Sequence, residues 1–273
     1  MARSEEAALK GLVIVKLGGS LLTRKREVEK LRPKVLRRLA HELAGIEGVP
    51  IVVLHGAGSF GHPGAARFGL AAPPAQGVAS LERTRGAAIV SAEVRRLHLT
   101  VLRELVAAGL SPWSLPLSVL GRNRAGELVE LDTAAFGRAI EHGWTPVSGG
   151  DVVPDERWGS SILSADAAAV ELARRLPVQR VVFATDVPGV LEGPAGGRRK
   201  VVPRVTEELL TGLRASPGAI DVTGGIRAKV AAMLEIARAG ADAALISGLT
   251  DGALSRAVRG EVVYGSWAHA RAP

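Results

Sequence analysis

From Ile51 the chain reads Ile-Val-Val-Leu and then His55-Gly56-Ala57-Gly58-Ser59-Phe60-Gly61-His62-Pro63. A short apolar run of this kind is a buried strand, and the glycines after it form a turn. Glycine tolerates positive φ and lets a ligand come close to the backbone. Successive N–H groups in such a turn make an anion nest. His62, at the far end of the loop, adds a donor that can carry charge near neutral pH. The chemistry expected of the stretch is phosphate binding, with Ala57, Gly58, Ser59, Gly61 and His62 as the candidate residues. A plain turn is the competing reading. So is the dinucleotide fingerprint, because Gly56, Gly58 and Gly61 fit G-x-G-x-x-G. That fingerprint needs an acidic residue about 20 positions on, at a strand end. The next acidic residue here is Glu82, beyond Pro73-Pro74, and the loop follows the second strand rather than the first.

Other strand ends carry related signals. Lys16 interrupts the apolar run Leu12 to Leu17 just before Gly18-Gly19-Ser20. A lysine there suits a ligand beyond the strand ends better than it suits packing. The stretch lacks the G-x-x-x-x-G-K-[ST] of a Walker A loop. Lys25 follows in a polar segment, and Gly149-Gly150-Asp151 closes a third apolar run. Asp166 sits in the first turn of a helix expected from Ala167 to Leu176, where it could also serve only the helix dipole. Thr185-Asp186-Val187-Pro188-Gly189 ends another strand, and Asp221 to Lys229 opens a helix running to Ala239. Only seven of the 35 cationic residues are lysine, yet Lys16, Lys25 and Lys229 all stand in or beside glycine motifs. A compact ammonium rather than a guanidinium fork is the group these places select.

Composition narrows the classes. The net charge of +8 comes from scattered basic residues, and aromatics make up 3%, too few for base-stacking platforms. A small polyanionic substrate accounts for the excess, and no nucleic-acid partner is expected. No apolar run approaches the roughly 18 residues of a membrane span. The first ten residues lack a signal-peptide core, and cysteine is absent, so a cytoplasmic protein without disulfides is expected.

Strand and helix patterns alternate along the chain. Helices are expected over Val28 to Ile46 and Val78 to Ala108, and a short one over Asp132 to Glu141 with Asp132 as N-cap. Further strands are expected at Trp113 to Leu117, Thr145 to Ser148, Arg180 to Ala184, Asp242 to Ile246 and Glu261 to Tyr264. Hairpins are expected over Leu120 to Glu130 and up to Ser161, and a basic glycine-rich loop over Gly193 to Lys200. This alternation predicts an α/β fold, a three-layer αβα sandwich about a mostly parallel sheet, with the glycine motifs on its carboxyl edge. One domain over 1–273 is expected, with lobes 1–176 and 177–273 meeting near Pro177.

Lys-Leu-Gly-Gly-Ser at 16–20, the Asp at 166, Thr-Asp-Val-x-Gly-Val at 185–190 and Thr-Gly-Gly-x-x-x-Lys at 223–229 resemble the amino acid kinase superfamily. His-Gly-x-Gly-Ser-Phe-Gly-His at 55–62 and Gly-Asp-Val-Val at 150–153 narrow the resemblance to its isopentenyl phosphate kinases. Members acting on acetylglutamate or UMP lack a histidine at the position of His62. The resemblance implies the amino acid kinase fold and transfer of a phosphoryl group from ATP, with Mg²⁺, to isopentenyl phosphate in an alternative mevalonate route. It implies a homodimer. It assigns His62, the Ala57 and Gly58 N–H groups, Gly150 and Asp151 to the acceptor phosphate. Lys16 and Gly18-Gly19-Ser20 lie under the group in transit, and Lys25 stabilises the transition state. Asp166 orients the lysines. Thr185, Asp186, Gly189, Gly224, Gly225 and Lys229 serve the nucleotide, together with Lys16, Gly18, Gly19, Ser20 and Gly58, with Mg²⁺ held mainly by phosphates. Ala57 stands where the family usually has Gly, Ala165 likewise, and Pro188 where relatives often have Asp. A phosphonate acceptor such as fosfomycin, or a non-catalytic nucleotide-binding subunit, are the alternatives. An apolar tail pocket on the early part of the Val78 helix, with Phe68 and Ile89, would favour the prenyl acceptor.

Overall fold

In the computed structural model, neighbouring strand residues alternate between two apolar layers. Leu12 and Ile14, Val52 and Leu54, Val181 and Phe183, and Ala243 and Leu245 enter one cluster. Val13, Val15 and Leu17, Val53, Val182 and Ala184, and Ala244 and Ile246 enter the other. Side chains that alternate with period two and are buried on both faces require a covered sheet with helices above and below. The structure describes residues 8–24, 27–75, 77, 79–192, 199–213 and 225–270.

In chain order the described elements begin with β1 (Leu12–Leu17), α1 (Gly19–Leu22), α2 (Pro33–Ala44), β2 (Ile51–His55), α3 (Gly58–Arg67) and α4 (Leu81–Ala107). Then come β3 (Pro112–Ser114), α5 (Leu117–Leu120), β4 (Gly121–Arg124), β5 (Glu127–Leu131), α6 (Ala134–Glu141), β6 (Thr145–Gly149), β7 (Asp151–Asp155) and β8 (Gly159–Leu163). The remainder are α7 (Ala165–Arg175), β9 (Val178–Thr185), β10 (Leu191–Glu192), β11 (Lys200–Val201), α8 (Glu207–Gly212), α9 (Gly225–Arg238), β12 (Asp242–Ser247), α10 (Ala253–Arg259) and β13 (Gly265–Ala268). A seven-stranded sheet runs β13-β12-β9-β1-β2-β6-β3. All its pairings are parallel except that of β12 with β13. Helices α6, α7 and α9 cover one face and α2, α4 and α10 the other. This is the expected three-layer α/β architecture. A second sheet, β5-β4-β7-β8, carries the chain from Gly149 to Ser164.

Several boundaries differ from the sequence reading. The stretch after Gly56 is not a loop to His62: helix α3 starts at Gly58 and contains both His62 and Pro63. Its glycines are packing positions. A Cβ on Gly61 would come within 3.0 Å of Val94, one on Gly64 within 2.6 Å of Val90, and one on Gly86 of α4 within 2.2 Å of Phe68. Close approach of two helices thus overrides low helix propensity. Pro63 has no N–H to offer the carbonyl four residues back. That carbonyl, of Ser59, accepts instead from the Glu29 N–H at 3.2 Å. Helix α2 begins at Pro33, a residue favoured in a helix's first turn, rather than at the exposed Val28. The last strand is Gly265–Ala268, not Glu261 to Tyr264. Val262 and Tyr264 are exposed, and Gly265 pairs with Ile246 where a Cβ would meet the Leu245 carbonyl at 2.5 Å. Strand β3 stops at Ser114, before the predicted Leu117. Thr133 is the N-cap residue of α6, although the Asp132 carboxylate accepts the Ala135 N–H at 3.0 Å. The short helices α8 and α10 lack a prediction. Val78 and most of the Gly193 to Lys200 loop lie outside the described residues. Among the described residues no helix is long and apolar enough to cross a membrane.

Candidate active site

Lys16 occupies an even position of β1 and so faces the layer of α7 and α9. Both helices aim their N-terminal turns at it. Ser164 caps α7, its hydroxyl accepting the Ala167 N–H at 3.0 Å, which sets Asp166 in the first turn. Lys229 lies one turn into α9, which opens at Gly225 with φ +62°. The result is one carboxylate between two ammonium groups. Lys16 Nζ is 2.7 Å from Asp166 Oδ1, and Lys229 Nζ donates to Oδ2 at 2.6 Å. Lys229 Nζ also stands 5.5 Å from the centroid of the Phe183 ring.

Burial and charge act against each other here. Burial, with the Lys229 charge, lowers the Lys16 ammonium to about 8, while Asp166 pulls it upward. Burial alone would raise the Asp166 carboxyl, but the two lysine charges outweigh it and hold the group well below the usual carboxylate range. At neutral pH the cluster keeps one net positive charge in a largely dry site.

The first two glycine turns are pressed backbone to backbone. A Cβ on Gly19 would lie 2.5 Å from the Gly58 nitrogen, and one on Gly56 2.7 Å from the Gly19 nitrogen. Gly58 has φ +52° and leaves no room for a side chain beside Thr23 Oγ1, 2.3 Å from where its Cβ would stand. Buried Thr23 stitches the turns together. Its hydroxyl donates to Gly19 O at 2.8 Å and accepts the Ser59 N–H at 2.9 Å. Sequence reasoning missed Thr23, although its place four residues after Gly19 was the available signal. Gly58 and His62 lie one turn apart on the same side of α3, so the helix that meets Gly19 at its start also carries His62. The leading N–H groups of α3 have no acceptor within their own helix. Ser20 Oγ donates to Asp186 Oδ1 at 2.6 Å, tying the first turn to the loop after β9.

Other predicted residues are engaged within the protein. The Ser59 hydroxyl accepts the Lys30 N–H at 3.2 Å. The Gly150 N–H donates to His55 O at 3.0 Å. Asp151 is buried, which pushes its carboxyl up, and it faces Ser91, Ser118, Arg95 and the Val152 N–H. Thr185 Oγ1 donates to Val187 O at 3.0 Å, and Gly189 packs on Ser266 and Val201. Lys25 and Gly224 lie outside the described residues. Beside α3, Ala65, Val90, Val94 and Val152 form a separate apolar cluster against which Phe68 and Ile162 pack. Ile89 is not in it and is 52% exposed, so that expectation is corrected. Its position on the outer side of α4 explains the difference. A surface hollow of about 380 Å³ lies at the opposite, C-terminal ends of α7 and α9, lined by Arg174, Glu235, Arg238 and Ala239.

The amino acid kinase family matches residues 11–247. The isopentenyl phosphate kinase of Methanothermobacter thermautotrophicus is 32% identical, over 93% of this chain and 98% of its own. That of Thermoplasma acidophilum is also 32% identical, over 82% and 86%. A solved isopentenyl phosphate kinase superposes with a TM-score of 0.79 at 28% identity, covering 94% of this chain and 99% of the other. The product complex of the T. acidophilum enzyme gives 0.77 at 27%, covering 94% and 100%.

Replacing Thr23 by Val keeps the shape and removes both hydrogen bonds. The Ser59 N–H is then buried without an acceptor, at a cost of about 1–3 kcal/mol. Urea unfolding of Thr23→Val should show that loss, and an unchanged midpoint would mean that the turns hold together without it.

Proposed function

This chain belongs to the amino acid kinase family, and from that premise we propose that it transfers the γ-phosphoryl group of ATP to isopentenyl phosphate, giving isopentenyl diphosphate and ADP. The observation that carries the proposal is the Lys16–Asp166–Lys229 cluster at the end of β1, joined through the Gly19–Gly58 contact to the helix of His62. Similarity to isopentenyl phosphate kinases over most of the chain supports the choice of acceptor.

Phosphoryl transfer between two phosphates is mainly a matter of positioning and of balancing negative charge. Lys16 is assigned to the group in transit and Lys229 to the nucleotide phosphates. Asp166 holds both ammonium groups in place. A phosphate acceptor has its second pKa near 6, so its oxygen is already ionised and no general base is needed. His62 is therefore cast as an acceptor ligand, with the N–H groups of Ala57 and Gly58. Lys25 is assigned to transition-state stabilisation by resemblance. Thr185, Asp186, Gly189, Gly224 and Gly225 are assigned to the nucleotide. On this assignment 1–176 forms the acceptor lobe and 177–273 the nucleotide lobe, although one sheet runs through both.

Mg²⁺ belongs to the same proposal. Both Asp166 oxygens face lysines and Asp186 accepts from Ser20, so the ion's ligands are chiefly phosphate oxygens. Such an ion would supply positive charge against the phosphates, beside that of Lys16 and Lys229. The apolar cluster beside α3 is packed by the protein's own side chains, so the prenyl acceptor is supported by similarity to isopentenyl phosphate kinases. The homodimer and the cytoplasmic location rest on resemblance and composition alone.

Mixing the protein with Mg-ATP and isopentenyl phosphate should release ADP. Release only with fosfomycin or another acceptor would remove the prenyl assignment, and none with a broad acceptor panel would favour a non-catalytic role. His62→Ala should raise the acceptor KM roughly ten- to hundredfold, the size of a lost charge-assisted hydrogen bond. An unchanged acceptor KM would take His62 out of the site. The pH profile is a further check. Burial lowers Lys16 from 10.5 to about 8, so the folded protein loses this proton first as pH rises. The free-enzyme kcat/KM should fall above about pH 8. Asp166→Asn removes the attraction that props the ammonium up, so the alkaline limb should move to lower pH. A limb that stays in place would separate Lys16 from the rate.

A further inference from the structure

Two histidines lie just behind the glycine turns. His55 ends β2 at an odd position, so its side chain enters the layer containing α4, opposite to the layer of Lys16. It is fully buried, and its Nε2 lies 2.8 Å from Nδ1 of His98 on α4. The other nitrogen of His98, Nε2, lies 2.8 Å from Ser114 Oγ on the edge strand β3. On its other side the His55 ring rests on Gly149, where a Cβ would lie 2.3 Å from it. His55 Nδ1 stands 3.4 Å from Gly56 O, and His55 O accepts the Gly150 N–H at 3.0 Å. The residue is thus wedged between Gly56 and Gly149-Gly150, where two glycine turns start.

The protons can be placed by elimination. Gly56 O only accepts, so His55 Nδ1 carries the hydrogen and a neutral His55 must accept at Nε2. His98 then donates from Nδ1, and its Nε2 accepts the Ser114 hydroxyl. Burial disfavours charge on either ring. It takes His55 to about 3, helped by His98 and Lys16, and His98 to about 4, helped by Arg95. The charged group facing the pair is Arg95 from α4, with Asp151 of β7 beside it, and the Lys16 charge acts on His55 from the other face of the sheet. Ser114 of β3 and Gly149 of β6 bring no charge.

We propose that His55 and His98 are positioning residues, a neutral pair of fixed tautomer that sets the spacing of the 56–58 and 149–150 turns and anchors it to α4. The proposal rests on the reading of those turns as the acceptor-phosphate side. The contact needs a donor at position 98 facing His55 Nε2, which the His98 Nδ1–H supplies, while the Ser114 hydroxyl adapts to the other nitrogen.

His98→Phe removes the donor, whereas His98→Asn puts an amide N–H at the place of Nδ1, where it faces His55. The acceptor KM should rise roughly tenfold in His98→Phe, a usual scale for small misplacement. The ATP KM should stay as in the natural protein, and His98→Asn should recover part of the loss. Nitrogen-resolved imidazole NMR of the unsubstituted protein should show two neutral Nδ1–H rings at pH 5.5. Equal changes in both KM values, loss of thermal stability with neither KM altered, Nε2–H tautomers, or protonated rings at that pH would each overturn the proposal. If the natural protein does not turn over isopentenyl phosphate, the acceptor reading has failed, and the spectra still decide the state of the pair. They decide it equally if His98→Phe does not fold.

Discussion

One carboxylate shared by two ammonium groups fixes how this protein's parts must be arranged. Asp166 meets Lys16 and Lys229 at 2.7 and 2.6 Å. Ion pairs in a partly desolvated site interact several-fold more strongly than exposed pairs, whose median contribution is about 0–1 kcal/mol. The exposed pairs on this surface, Arg122 with Glu130 and Arg174 with Glu235 among them, belong to that weaker class. The buried trio is also incomplete in charge. It keeps one surplus positive charge that an incoming phosphate can match, so the site is held together without being neutralised. Meeting this demand takes three regions of the chain. An even position on β1 supplies one lysine, and the N-terminal parts of α7 and α9 supply the carboxylate and the other lysine.

The second constraint is steric. Gly19, Gly56 and Gly58 let two turns touch through their backbones, and Thr23 fastens them. Helix α3, which carries His62, begins at that contact. On the opposite face of the sheet the His55–His98 pair performs a comparable service, relating the same turn to Gly149 and to α4. The ends of β1, β2 and β6 are therefore fixed relative to one another by contacts that leave little room for side-chain change.

Much of this was legible in the sequence because strands buried on both faces announce themselves. β1, β2, β9 and β12 were all expected within two residues of where they lie. The glycine motifs and the lysines beside them marked the strand ends. What stayed hidden depends on partners distant in sequence. Helix α3 looks like a loop because its glycines and Pro63 disfavour helix locally, and only Val90, Val94 and the Glu29 N–H make it acceptable. The final strand was displaced because Val262 and Tyr264 have strand-like side chains but face solvent, while Gly265 fits a crowded edge. His98 reads as an ordinary helix residue until β2 is laid beside it. Local propensity cannot register any of these, since each is decided by what packs there.

The order of strands has a consequence for synthesis. β1 is the middle strand of the main sheet, flanked by β2 on one side and β9 on the other. β2 is made soon after β1, but β9 emerges only when about two-thirds of the chain has left the ribosome. Until then the nascent chain carries an apolar strand with one unpaired edge at its centre, the kind of surface that invites mispairing. Completion of the sheet and creation of the charge trio are coupled, since α7 and α9 lie on either side of β9 in the chain. A product that ends before β9 therefore lacks both the β1–β9 ladder and Lys229, and quality control that removes such fragments would discard no completed charge trio.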